Sequence, residues 1–468
     1  PSLAAQPCGD PDDCVICGFE VRLPGGVDNA KAFESMLFEG RSVISPMPED
    51  RLNRELYFAK QHGVPGKTYT QLGGCVSPSP LDAHVENAIE SLGDFDLTHR
   101  QFAQVAVAAL KAASGTGSLS SESPLHQASD RTLAIDAVRA GVFVGHSGGT
   151  ELGGPLAMAT MAETAMELVD QVPSMHHIES DLRHHVKGAV ASAIRRDRPR
   201  YEPGHSPAFN AYSAASLAAR LMGFEGRREV IDAACSSSLL ALQHAASAIA
   251  ANRLDLAIVG GATFNNVDNL ALFSQSGACS ETGSFPFDNR ASGLISSEGY
   301  VAVVVARRSV AEANGLPVLA TLRGVGVASD GKGKGLWAPR SEGQQTAMRR
   351  AVDADPLNID YLECHATSTQ VGDATELESL TSLLRSNEGS RGVLPIGSVK
   401  SNLGHLLEAA GLVGVVKCLL AMRRGEIPPS INFAVPTERH DWSDPAVRIV
   451  DRVEPWQQRT SSYGRVAA

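Results

Sequence analysis

Apolar positions along the chain gather into short, β-branched runs bounded by glycine. They are Val15–Ile16 before Gly18, Gly141–Gly145, Glu229–Asp232, Leu256–Gly260, Tyr300–Ala306, Pro317–Val327, Tyr361–Cys364, Leu394–Val399 and Val447–Val450. Runs of this length and residue type predict strands. Between them lie longer segments whose apolar residues recur at helical spacing: Leu156–Val172, Ala211–Leu221, Ser237–Ala251, Glu342–Val352 and Ala409–Met422. Strand alternating with helix predicts an α/β fold with mostly parallel strands. The segment Pro46–Asp96 and the Gly- and Ser-rich run 114–126 predict irregular elaboration. No Pro/Ser-rich linker divides the chain, and the best seam follows Ala306–Ala313. Strand, helix and loop recur in similar order on both sides of it, which predicts two duplicated halves, 1–310 and 311–468, packed as one body.

The charge-free stretch Ala233–Asn252 has the length of a membrane helix, but it contains Ser236, Ser237, Ser238, Gln243, His244 and Ser247. Those groups are costly in lipid and tolerable inside a protein that bonds them, so the stretch predicts a buried central helix. With 43% apolar and 20% charged residues the 468-residue chain has globular usage, which excludes disorder, collagen and coiled coil. Its 44 glycines and 5% aromatics predict tight turns and close packing of small residues. A net charge of −11 argues against nucleic-acid binding, which needs clustered Lys and Arg, and fits a soluble cytoplasmic protein. Eight scattered cysteines are too sparse for a secreted disulfide framework, so reduced thiols are expected. The first residue is Pro and no signal peptide follows, which predicts a processed, tagged or excised piece.

The chemistry concentrates in three segments. In Val230-Ile231-Asp232-Ala233-Ala234-Cys235-Ser236-Ser237-Ser238 a strand ends, small residues turn the chain and Cys235 stands where a helix begins. Helix N-termini favour a thiolate, so such a cysteine is expected to have a lowered pKa and to act as a nucleophile. Glu363-Cys364-His365-Ala366-Thr367-Ser368-Thr369 and Lys400-Ser401-Asn402-Leu403-Gly404-His405 each put a histidine at a strand end, where α/β sheets bind ligands.

Together these segments resemble the β-ketoacyl synthase family, specifically ketosynthase domains of type I polyketide synthases and related fatty-acid synthases. Asp232–Ser238 is similar to the family's DTACSSS, His365–Thr369 with Gly372-Asp373 to HGTGT and GD, and Lys400–His405 to KSNIGH. Leu23–Gly26, Pro286-Phe287-Asp288, Ala409–Gly411 and Pro428–Phe433 add to the likeness, which spans about Cys14 to Gly464. The resemblance implies a thiolase-like fold of two βαβαβαββ halves in a five-layer αβαβα body, usually a homodimer. It implies a decarboxylative Claisen condensation between an acyl chain on Cys235 and a malonyl-type extender on an acyl carrier protein. His365 and His405 would stabilise the enolate, and Lys400 would order the site electrostatically. Thr367, Thr369 and Asn402 would contact substrate or its phosphopantetheine arm, with Asp373 and Glu376 behind them. No metal or other cofactor is implied on the chain itself, since substrates arrive on the carrier's phosphopantetheine. Further synthase domains, in cis or in trans, are the implied partners, in the cytoplasm. The residue types agree with that chemistry: thiolates exchange thioesters readily, and neutral imidazoles donate hydrogen bonds to an enolate oxygen.

The family's closing Gly-Phe-Gly-Gly-Thr-Asn loop is only begun here by Ser461-Ser462-Tyr463-Gly464 before Arg465–Ala468, which predicts a truncated C-terminus. Losing one oxyanion donor costs about 100–1,000-fold in rate. Two rival readings stand beside the resemblance. Gly145-His146-Ser147-Gly148-Gly149 fits the nucleophile elbow of a serine hydrolase with Ser147 attacking, and a catalytically silent ketosynthase-like scaffold is the other. Gly326–Lys332 lacks the Ser/Thr of a Walker loop, and Cys14 and Cys17 fall in one strand without a second CxxC. His176, His177, His184 and His185 read as a solvated helix face, and the Arg195, Arg196, Arg198 cluster as a weak candidate for carrier docking.

Overall fold

The computed structural model describes residues 10, 12–77, 82–119, 123–125, 133–196, 207, 210–333, 335, 338–352, 359–385, 392–443, 446–458 and 464–468. Its larger sheet is built from β1 (Cys14–Arg22), β2 (Ala140–Gly145), β3 (Arg228–Ile231), β4 (Leu256–Thr263), β5 (Gly299–Arg307) and β6 (Ala320–Thr321). Their order is β3-β2-β4-β5-β1-β6. β2 runs parallel to β3 and β4, whereas β5 is antiparallel to β4 and β1, and β6 is antiparallel to β1. The expectation of mostly parallel strands therefore fails across half of this sheet. A strand buried on both faces reads as a continuous apolar run whichever way it points, so the pattern carries no direction. The second sheet, β9-β8-β7, is parallel throughout and consists of β7 (Leu362–Glu363), β8 (Leu394–Gly397) and β9 (Val447–Ile449).

Helices fill the layers around these sheets. On one face of the larger sheet lie α1 (Leu97–Ser114) and α2 (Tyr212–Met222), packed on Val142, Val144, Ile258, Ala302 and Val304. On its other face α3 (Ser237–Ala250) and α6 (Ala410–Arg424) pack on Phe143, Val259, Val301, Val303 and Val305. The alternation of Tyr300, Ala302 and Val304 against Val301, Val303 and Val305 divides β5 between the two cores. The second sheet meets α6 through Tyr361, Cys418 and Ala421, and α5 (Gln370–Arg385) through Leu377, Leu380, Leu394 and Ile396, with Met348 of α4 (Ser341–Ala351) packed against that cluster. The succession is helix, sheet, helix, sheet, helix, the five-layer thiolase-like arrangement.

Elements differ from expectation where periodicity is weak. α1 was not predicted: 12 of its residues are buried, including Thr98, His99 and Gln101, so no polar face marks its period. Within Pro46–Asp96 the helix Ala83–Leu92 forms, capped by the Asp82 carboxylate on the N–H groups of His84 and Val85. The run Pro317–Val327 yields only β6, with Val318 and Leu319 exposed, and β6 pairs back onto β1 across the seam. His176, His177, His184 and His185 are exposed on a 3₁₀ turn and on the helix Ser180–Arg196. The side chains of Arg195, Arg196 and Arg198 and the residues Ser461–Tyr463 lie outside the described residues.

Candidate active site

Cys235 occupies a 3₁₀ turn, Ala234–Ser236, wedged between β3 and α3. The turn forces Ala234 to φ +50°, a conformation that L residues avoid. Hydrogen bonds hold it there: the Asp232 carboxylate accepts from Ala234 N–H at 3.0 Å, and Ser237 Oγ donates to the Ala234 carbonyl at 2.6 Å while accepting from Ala233 N–H at 2.8 Å. Two glycines let this turn and the His405 loop approach the sheet. A Cβ on Gly145 would lie 2.4 Å from Ser238 N, and one on Gly261 would lie 2.6 Å from Ala409 Cα.

His365 leaves the end of β7, and its loop is gripped by α5, where both Glu376 oxygens accept at 2.7 Å, one from His365 N–H and the other from Ala366 N–H. Asp373 Oδ2 accepts from Phe287 N–H at 2.8 Å, and burial raises its carboxyl to about 7. Thr367 and Thr369 hydroxyls pair at 3.1 Å. His405 follows the short helix Lys400–Leu403 and is pinned by its N–H to Ile295 carbonyl at 2.7 Å and by Ser297 N–H to its own carbonyl at 2.9 Å. Asn402 is fully buried, and its amide donates to the Arg41 carbonyl at 3.0 Å.

The three groups converge. His405 Nε2 lies 2.9 Å from Cys235 Sγ, the rings of His365 and His405 stand 5.3 Å apart at 85°, and one ligand-type atom from each residue falls within 4.8 Å of the others. Among the described residues this is the one such cluster of His, Cys, Asp and Glu atoms. Its atoms are a soft S/N set that suits a thioester-exchanging nucleophile beside hydrogen-bonding imidazoles.

Burial pushes the Cys235 thiol up to about 11, opposed by the Lys400 ammonium and reinforced by Glu408. Against the expected lowering, Cys235 stands in the turn before α3 and burial raises its thiol. Burial, then His365 and Lys400, hold His405 well below its ordinary value. Burial, then the Lys400 ammonium, lower His365 to about 3. The resting pair at neutral pH is thereby a thiol and a neutral imidazole. Lys400, 5% exposed, is lowered by burial against the pull of Glu363 and Glu376.

Three charged side chains near the site have no sequence-based assignment. Glu363 and Lys417 form a buried ion pair at 2.6 Å, and Glu408 accepts from Thr263 Oγ1 at 2.7 Å. A lone lysine in the apolar run Ala410–Met422 was the available signal. The rival elbow is not built: Ser147 is exposed, the next helix begins only at Gly153, and His146 Nδ1 is engaged at 3.0 Å with the Ala262 carbonyl.

Comparison with known proteins agrees with this geometry. The family model for the β-ketoacyl synthase N-terminal domain matches residues 12–311, and that for the C-terminal domain matches residues 319–434. The chain is 29% identical over 462 residues to polyketide synthase GfsA of Streptomyces halstedii, covering 97% of the chain and 6% of the relative. It is 29% identical over 461 residues to pikromycin polyketide synthase component PikAIII of Streptomyces venezuelae, covering 97% of the chain and 26% of the relative. The chain thus spans only a small part of the length of these curated relatives. The oxazolomycin ketosynthase domain OzmH KS7 of Streptomyces albus superposes with a TM-score of 0.77 at 28% identity, over 97% of this chain and 70% of that one. With both family models matched in order, and with the thiolase-like layers and the converging Cys235, His365 and His405 beneath them, the chain belongs to the β-ketoacyl synthase family as a ketosynthase domain of the polyketide synthase kind.

Proposed function

We propose that the chain carries out decarboxylative condensation on carrier-bound thioesters in polyketide assembly. The observation that carries this reading is the convergence of Cys235, His365 and His405 on one point. The Cys235 sulfur attacks an acyl thioester, its proton leaves with the carrier thiol, and the acyl group stays on Cys235. A malonyl-type extender then loses carbon dioxide, and the electron pair of the broken C–C bond moves into a thioester enolate whose oxygen accepts N–H bonds from His365 and His405. The enolate carbon attacks the Cys235 thioester carbonyl, the new C–C bond forms, the C–S bond breaks and the leaving sulfur takes up a proton from solvent. Neutral imidazoles suit this role because they donate without protonating the enolate carbon.

Lys400 tunes the field at Cys235. Thr367 and Thr369 line the approach of the phosphopantetheine arm, with Asp373 and Glu376 behind them; Asn402, expected among the substrate contacts, is instead fully buried with its amide on the Arg41 carbonyl and holds its loop from behind. An acyl carrier protein and further synthase domains are the partners, and the cytoplasm the setting. The halves 1–310 and 311–468 act as one body, and a homodimer is supported by the open edge of β3 and the exposed Leu239 beside the Cys235 turn. Light scattering of the purified chain tests the dimer.

Mass spectrometry after incubation with an acyl thioester tests the nucleophile. The expected result is one acyl group on Cys235 and none in Cys235→Ala, with condensation lost in the variant. A label on Ser147 would establish the hydrolase, and no label the silent scaffold.

A further inference from the structure

We infer that Glu363 and Lys417 are positioning residues for this site, a buried ion pair that sets the field around Lys400 and ties the loops of His365 and His405 together. Only the kinetic part of the test below rests on the condensation reading.

Glu363 ends β7, two residues before His365. Its Oε1 accepts from Val399 N–H at 2.6 Å, directly before Lys400, and its Oε2 accepts from Lys417 Nζ at 2.6 Å and Tyr361 O–H at 2.8 Å. Lys417 is fully buried on α6, the helix that follows the His405 loop, and its Nζ lies 5.4 Å over the Tyr361 ring. One carboxylate therefore joins the strand end of His365, the loop of Lys400 and the central helix. Packing does not account for the two charges, since an apolar pair of similar size would fill the space with less desolvation.

The groups facing Lys400 are Glu363, Glu376, Cys235 and Cys364, and its own charge is felt by His365, His405 and Asp373. Glu363 is the strongest of the groups that keep Lys400 protonated. Around Glu363 stand Lys417, Lys400, Tyr361, Cys364 and Cys418. Neutralising Glu363 leaves Lys400 with Glu376 and with an unpaired Lys417. Neutralising Lys417 instead leaves the whole Glu363 charge to Lys400. The two variants push Lys400 in opposite directions, which loss of a merely structural contact would not do.

The test is an NMR titration of ¹³C-lysine-labelled protein, with the Lys400 Cε resonance identified by its loss in Lys400→Arg. The midpoint is expected to fall by about one unit in Glu363→Gln and to rise in Lys417→Met. In the double variant it falls less than in Glu363→Gln, because the unpaired Lys417 charge is gone as well, while the thermal stability lost in each single variant is regained. Shifts of the same sign in both single variants, or a wild-type midpoint in the double variant, would overturn the inference. If the single variants do not fold, the double variant alone decides. In condensation assays the alkaline limb of kcat/KM should follow the midpoints. Midpoints that move as stated while this limb stays fixed would uphold the ion pair and overturn the place of Lys400 in the reaction.

Discussion

At Cys235 two demands meet: a nucleophile must be reachable, yet the small residues around it bury its sulfur. Desolvation wins, holding the thiol near 11 beside a neutral His405. The thiolate is therefore a minor species at pH 7, and its fraction grows with pH because the group lies far below its midpoint. Iodoacetamide alkylation of Cys235 should rise about tenfold per pH unit from pH 7 to 9 without levelling. A plateau below pH 8 in quenched-time mass spectrometry would show a thiolate–imidazolium pair instead. The three converging residues were legible in the sequence because each sits in a short motif at a strand end. The thiol's environment was not, because it depends on Lys400 and Glu408, 165 and 173 positions away by residue number.

At the scale of elements, the site exists because α3 touches β2 at a glycine. With the Gly145 Cβ position 2.4 Å from the backbone nitrogen of Ser238, any side chain there drives the first turn of α3 outward. Gly145→Ala should lower stability by about 1–3 kcal/mol by denaturant titration, as overpacking does. It should also cut acyl loading of Cys235 by about 100-fold, since a displacement near 1 Å is enough. Unchanged loading with lowered stability would show that α3 absorbs the strain without moving Cys235. α3 and α6 were legible as apolar periodic runs between turn signals, and their ends fall within a few residues of expectation. α1 was hidden by being buried nearly all round, and the helix Ala83–Leu92 by the irregular sequence around it.

At the scale of the whole molecule, layering puts every described cysteine into or beside a core. All seven are free, and burial raises each thiol above its ordinary value, Cys14, Cys17 and Cys75 to about 12 and Cys279 to about 11. A raised folded pKa means that the folded chain holds its thiol protons where the unfolded chain releases them. That contribution to stability is fully present below pH 9, the ordinary value, and is lost as pH climbs through 11 to 12. Urea midpoints in reducing buffer should therefore fall steeply between pH 9 and 11. Cys→Ala replacement of Cys17 and Cys279 together should flatten that fall, and an unaltered slope would assign it to other groups.

The motifs DAACSSS, HATST and KSNLGH, with the alternation of strand and helix, were enough for the family resemblance and the α/β class, because groups brought to strand ends leave short local signatures. Only the tertiary structure decided which strands run antiparallel, that β6 returns across the seam, that burial raises the Cys235 thiol, and that Glu363 meets Lys417 54 positions on. The physical reason is range. Turn chemistry and periodicity act over a few residues, whereas strand direction, burial and ion pairing are set by neighbours that the chain brings together from far apart in sequence.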